Sequence, residues 1–209
     1  MNSRQAHGPE CTCSECILGE DEIVVDLNTA ISKNEAFALN EKKIGSCKTI
    51  FKPKEEMLDR NNFCESNDDD IDLLIYIPFT TQVKIRSMRM IGGEDGTSPR
   101  KIKLFVNKNN PGFEMSEEKA TQEIDCVENP DGRLPYYLST TKFNSVWSIT
   151  LIVTMNYLAS NTKIYYIGFE GISTHKRRTF KLEISEAKPQ GVKIERIKED
   201  HSNDHLIYG

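Results

Sequence analysis

Ile71-Asp-Leu-Leu-Ile-Tyr-Ile-Pro-Phe-Thr80 marks the point at which the chain changes character. Before it the residues are polar and irregular. After it, strand-length apolar runs recur with turn signals between them, the rhythm of an antiparallel sandwich or barrel. Residues 71–77 read as a first strand, ended by Pro78 because proline has no N–H to give a ladder. Val83, Ile85, Met88 and Met90 form the next apolar set, closed by the turn Gly92-Gly-Glu-Asp-Gly96. Ile102, Leu104 and Val106 alternate with Lys101, Lys103 and Phe105, the period of a half-buried strand.

Further on, residues 107–112 read as a loop and 120–127 as another strand. Residues 137–143 and 146–154, separated only by Asn144-Ser145, predict a tight hairpin. Residues 163–169, with Gly168 and Gly171 bracketing their end, and 179–184 complete a set of about eight strands. With almost no helical periodicity and no βαβ rhythm, the predicted fold is all-β: an antiparallel jelly-roll β-sandwich with flexible N- and C-terminal extensions. The expected core comprises Leu74, Ile77, Phe79, Ile85, Leu104, Trp147, Ile149, Leu151, Ile164, Ile167 and Phe169.

Working outward, residues 1–20 read as a flexible Cys-containing leader, 21–188 as the sandwich, and 189–209 as a polar tail expected to be mobile. Residues 23–27 suggest a short strand and 28–38 a weak helical turn or two. Residues 42–70 are mostly charged, pinned to a surface by Ile50, Phe51, Met57, Leu58 and Phe63.

The chain has 209 residues and a formal net charge of −5, which argues against a general nucleic-acid binder. No apolar run approaches the ~20 residues needed to cross a bilayer, and the N-terminus has no apolar region of a secretion signal. A cytoplasmic, and also nuclear, location is therefore expected. Thiols stay reduced there, so the six cysteines read as thiols or metal ligands rather than disulfides.

Several blocks together resemble one family. Ile50-Phe-Lys-Pro-Lys-Glu-Glu56, then Phe63-Cys-Glu-Ser66 and an acidic run, look like the entry to a PITH domain. Ile77-Pro-Phe-Thr80 leading into Val83-Lys-Ile85 is the most diagnostic piece. Ile102-Lys-Leu-Phe-Val-Asn107, then Phe143 with Asn144 and Val146, and Thr162-Lys-Ile-Tyr-Tyr-Ile-Gly-Phe-Glu-Gly171 follow in family order. The family is the proteasome-interacting thioredoxin C-terminal domain. The chain is similar to the kind that lacks a thioredoxin domain. The resemblance implies a galactose-binding-domain-like jelly roll that associates with the 26S proteasome or its regulatory particle. It implies no enzymatic activity, and a monomer with no nucleic-acid or membrane partner is expected.

The residues offer few rival chemistries. His7, Cys11, Cys13 and Cys16 supply four zinc-competent groups, but Cys-x-Cys is tighter than the usual pair of ligand pairs. An unstructured leader with exposed thiols and no cofactor is the expected state, with zinc there as the alternative. Cys13-Ser-Glu-Cys16 lacks the βαβ frame that would lower a thiol pKa for redox catalysis. Asp68–Asp70 and Asp72 present hard oxygens suited to calcium, yet a solvated acidic turn is the simpler reading. The Gly92–Gly96 segment lacks the spacing of a phosphate loop.

Two segments suit partner binding. Lys176, Arg177 and Arg178 form a basic block, either a protective strand edge or a docking patch for acidic surface. His201 and His205, in the tail, belong to a peptide that could enter a partner groove or reach a metal there. The alternative function is a carbohydrate- or small-ligand-binding, lectin-like domain, with Tyr136 and Tyr137 near residues 129–133 as its candidate platform.

Overall fold

The structure is a computed structural model in which residues 23–177 are described. Among these residues lie nine strands: β1 (Val25–Asp26), β2 (Phe37–Leu39), β3 (Cys64–Glu65), β4 (Leu73–Gly92), β5 (Pro99–Val106), β6 (Gln122–Asp125), β7 (Tyr136–Tyr137), β8 (Val146–Asn156) and β9 (Lys163–Arg177). Every pairing between them is antiparallel.

β4, with its 20 residues, organises the whole. Its first half, Leu73 to Pro78, pairs with β8, and Leu74 to Tyr76 also pair with β2. Its second half, Thr81 to Gly92, pairs with β9, and Ser87 and Met88 pair with β7. One strand is thus shared by two layers, β2-β4-β8-β5-β6 and β7-β4-β9, the second carrying both β1 and β3 on β9. Apolar residues from both layers meet in a single core, including Ile75 and Ile77 with Leu104 and Leu151 from one, and Met88, Ile167 and Phe169 from the other. This is the antiparallel sandwich that the strand rhythm predicts.

Pro78 does not end its strand. The β4–β8 register breaks between Pro78 and Val83, Pro78's carbonyl accepts the Ser32 N–H at 2.8 Å, and Phe79 bridges Ile31. The missing N–H therefore falls where β4 leaves one layer for the other. A bulge follows. The register against β9 slips between Ile85 and Ser87, leaving Arg86 as the extra residue. This slip explains how Val83 and Ile85, then Met88 and Met90, are all buried although their parity differs.

The bulge also replaces the expected hairpin. Leu138 N–H donates to Arg86 O at 2.9 Å and Ile85 N–H donates to Phe143 O at 2.8 Å. Residues 138–145 are thereby drawn onto β4, only Tyr136–Tyr137 form a strand, and Phe143 is fully buried. Gly168 and Gly171 stand inside β9, not at its end. A Cβ on Gly171 would lie 2.0 Å from the Lys84 carbonyl oxygen, so the close approach of β9 to β4 requires glycine there.

Three burial expectations change. Trp147 is only half-buried. Leu74 is buried on the outer face of its layer, with Phe105, Ile152 and Met115. Phe105, on the polar side of its alternation, is covered because the 3-10 turn Phe113–Glu117 lies over that face. The weak helical signal after residue 28 becomes the 3-10 turn Asn28–Ala30 followed by β2. Of the surface anchors, Ile50 and Phe51 are core, Met57 and Phe63 are half-buried and Leu58 is exposed. The strand expected at 179–184 lies outside the described residues.

Candidate interaction surface

Between β2 and β3 the chain builds a clamped turn. Glu41 accepts hydrogen bonds from Gly45 N–H at 2.5 Å, Ser46 Oγ at 2.9 Å and Cys47 N–H at 2.9 Å. Gly45 adopts the left-handed conformation, φ 83°, that the turn needs. Held between these bonds, Ile44 stands 95% exposed. Ile44 itself lines a cavity of about 220 Å³ together with Lys43, Ser46, Thr49, Asn61, Phe63 and Glu65 among others. The Lys163 ammonium sits 4.5 Å over the Phe63 ring, and Tyr165 meets that ring edge-on at 5.9 Å. Arg60 extends the surface, stacking on Tyr165 at 5.2 Å and pairing with Glu94 at 3.0 Å. An apolar knob on a fixed turn, rimmed by both charge signs, has the composition of a partner contact.

The three cysteines among the described residues are chemically quiet. Cys47, Cys64 and Cys126 are free and buried. Burial, with the Glu41 charge adding to it, pushes the Cys47 thiol up to about 12. Burial raises Cys64 as well, and lifts Cys126 to about 12. All three stay protonated at neutral pH, which suits packing and not nucleophilic work.

The acidic run serves as a turn. Asp70 Oδ1 accepts the Asp72 N–H at 3.0 Å, Asp69 is left-handed, and Asp68 pairs with Lys42 at 2.7 Å. Tyr136 and Tyr137 do not form a shared platform. The Tyr136 hydroxyl is tied to both the N–H and the carbonyl of Val127 at 3.1 Å, with its ring packed on the core, while Tyr137 stands exposed.

A second, open groove of about 660 Å³ lies on the outer face of the β2–β4–β8–β5 layer. Phe37 and Tyr76 line it with rings 5.1 Å apart and tilted by 31°, and Lys108, Asn109, Asn110 and Pro111 complete the lining. Nothing in the linear pattern singles out either surface, because each joins segments far apart in sequence.

The backbones of Lys176 and Arg177 end β9, with Arg177 opposite Thr81. Arg178, His201, His205, His7, Cys11, Cys13 and Cys16 lie outside the described residues. Among the described residues no group of His, Cys, Asp and Glu is arranged to hold a metal ion.

Comparison with known proteins is consistent with this architecture. The PITH domain model matches residues 19–189. PITH domain-containing protein 1 of Dictyostelium discoideum is 36% identical over 186 residues, covering 88% of both chains. The protein of that name from Xenopus laevis is 34% identical over 180 residues, covering 85% of this chain and 86% of its own. Among solved structures, the family 32 CBM of C. perfringens NanJ, in complex with galactose, superimposes with a TM-score of 0.51 at 12% identity. It covers 71% of this chain and 99% of its own.

Proposed function

Because this chain belongs to the PITH domain family, we propose that it is a non-enzymatic protein-binding module that associates with the 26S proteasome or its regulatory particle, in the cytoplasm and the nucleus. The observation that carries the binding role is the Glu41 clamp, which holds Ile44 almost fully in solvent at the edge of a cavity that it helps to line. A large apolar side chain on a rigid turn loses little entropy on docking, so its burial is turned efficiently into affinity. The choice of partner rests on the family resemblance of the segments around Pro78 and Gly171. The basic block at Lys176, Arg177 and Arg178 and the tail with His201 and His205 are further contact segments in this reading. The protein acts as a monomer and needs no cofactor; zinc held by His7, Cys11, Cys13 and Cys16 is the alternative for the leader.

Affinity capture of the tagged chain, followed by mass spectrometry, tests this. Proteasome subunits in stoichiometric amounts are expected. A second reading, a saccharide-binding module, draws on the aromatic pair Phe37–Tyr76 beside two asparagines and on the galactose complex of a structural neighbour. It would be favoured by a capture dominated by glycoproteins and released by free galactose.

A further inference from the structure

We propose that Leu158, on the turn between β8 and β9, is an apolar anchor that enters a pocket on a partner protein whose rim is basic. The inference deepens, and rests on, the reading of the chain as a protein-binding module.

Leu158 is 94% exposed and its backbone is left-handed, φ 74°. An exposed leucine alone calls for no explanation. One held in that conformation does, because its Cβ crowds the following carbonyl, where glycine or asparagine would sit more easily. Strain of this kind persists only where the surroundings impose it, and it gathers at sites that clamp ligands.

The surroundings do impose it. Asn156, buried at the end of β8, accepts the Leu158 N–H through Oδ1 at 3.0 Å. Its Nδ2 donates to the carbonyls of Ala159 at 3.0 Å and Asn161 at 2.9 Å. The Tyr157 hydroxyl donates to Cys126 O at 2.8 Å, and a Cβ on Gly96 would lie 2.5 Å from the Tyr157 carbonyl oxygen. At the foot of the turn, Thr162 N–H donates to Ser66 Oγ at 2.8 Å and Ser66 N–H to Thr162 O at 2.9 Å. Thr162 Oγ1 donates to Ile71 O at 2.7 Å. A side chain so mounted loses little entropy on docking.

The same contacts bring two acidic turns against this one, because Gly96 follows Asp95, and Ser66 and Ile71 bracket Asp68–Asp70. Asp69 and Asp95 are themselves left-handed and have no hydrogen-bond or ion-pair partner among the described residues. Asp70 and Asp72 meet no cation there either, and the Asp72 carboxyl is pushed up by burial and by the Asp70 charge. The nearby cations Lys42, Arg60 and Lys163 are taken by Asp68, Glu94 and Glu65. Arg100, stacked on the Tyr157 ring at 5.8 Å, stands against four uncompensated carboxylates. Charge complementarity therefore places Lys and Arg around the partner's pocket.

Ser66 makes this surface continuous with the Ile44 turn, since it also bridges Glu41. Ile44 and Leu158, the two most exposed large apolar side chains among the described residues, thus stand on turns tied to one buried serine. Binding energy concentrates in such clustered anchors.

The test replaces Leu158 in the full chain with photo-reactive p-benzoylphenylalanine, irradiates cells, and maps the cross-linked peptide by mass spectrometry. The expected adduct lies on a surface where Lys and Arg outnumber Asp and Glu. Its yield should exceed that from the same probe at Thr140, an exposed turn residue elsewhere. Asp69→Asn with Asp95→Asn, which suits the left-handed backbone, should lower the yield several-fold. Leu158→Asn should melt no lower than the parent and bind the partner so mapped about tenfold more weakly. No adduct above the Thr140 control, an adduct on an acidic surface, a yield indifferent to the aspartates, or a lower melt for Leu158→Asn would overturn the proposal. A basic surface on a protein outside the proteasome upholds the anchor and defeats the proteasome reading. Stoichiometric proteasome recovery without an adduct at position 158 defeats the anchor alone.

Discussion

Phe169, in the middle of β9, donates its backbone N–H to the side-chain oxygen of Asn28 at 3.0 Å, across 141 residues of sequence. The same side chain donates through Nδ2 to the carbonyls of Ile167 at 3.0 Å and Lys52 at 2.7 Å. Asn28 thus stands in for a strand residue, joining the N-terminal segment and the charged segment to the sheet. Replacing it with Ala leaves three backbone groups unpaired in a buried site. Asn28→Ala should destabilise the protein by about 3 kcal/mol, since each unpaired buried group costs about 1–3 kcal/mol. Urea denaturation would measure it, and a loss below about 1 kcal/mol would contradict the role.

Two glycines separate close packing from backbone conformation. Gly171→Ala puts a Cβ into the Lys84 carbonyl and should cost about 3 kcal/mol or force β9 from β4. Gly45→Ala meets nothing within 4 Å but must hold φ 83°, so about 1–2 kcal/mol is expected. Thermal melts of the two variants should therefore rank Gly171→Ala well below Gly45→Ala.

Ile44 and Glu41 test the proposed contact. Ile44→Asp removes a side chain with little burial, so stability should stay within about 0.5 kcal/mol while proteasome recovery falls. Glu41→Ala removes the acceptor of three donors and should cost about 2 kcal/mol as well as recovery. Recovery unchanged in Ile44→Asp would remove this surface from the interface.

Glu170 gives a pH signature. Burial alone would raise its carboxyl, but the Lys54 hydrogen bond at 2.6 Å and the Arg89 charge outweigh burial and hold it below the usual carboxylate range. A lowered folded-state pKa means the contribution is present above the unfolded value, about 4.3, and is lost as pH falls through the folded value. Glu170→Gln should accordingly be less stable than the parent at pH 7, with the gap closing on acidification. A gap independent of pH in denaturation curves would refute the assignment.

Thiol titration checks the buried cysteines. In a variant with Cys11, Cys13 and Cys16 replaced by Ser, Cys47, Cys64 and Cys126 should resist Ellman's reagent at pH 8 and react fully once denatured. Rapid reaction of the native variant would show that one of them is reachable.

Much of the sandwich was legible in the residues because a half-buried strand writes its two faces as period-2 alternation, as at Ile102 and Leu104. Ile149 and Leu151 were recognisable for the same reason, and Ile164 and Ile167 because they stand in a run rich in β-branched and aromatic residues. Pro78, Gly168 and Gly171 misled because each looks like a local stop. In the fold Pro78 lies at a change of sheet layer, and Gly171 at a close strand approach. The basic block and the tail stood out by composition, whereas Ile44 and the Phe37–Tyr76 pair carried no local signal.

By itself the sequence determined the all-β class, several strand runs such as those around Ile102 and Ile149, and the family, since these depend on short-range periodicity and on motifs in order. Only the tertiary structure decided that β4 serves two layers, that Asn28 stitches β9 to the N-terminal segment, and that Glu41 holds Ile44 in solvent. The same holds for the bonds through Ser66 and Thr162 that set the Leu158 turn beside the acidic turn. The reason is physical: alternation reports which face a residue takes, while register and long-range hydrogen bonds decide which distant residues share that face.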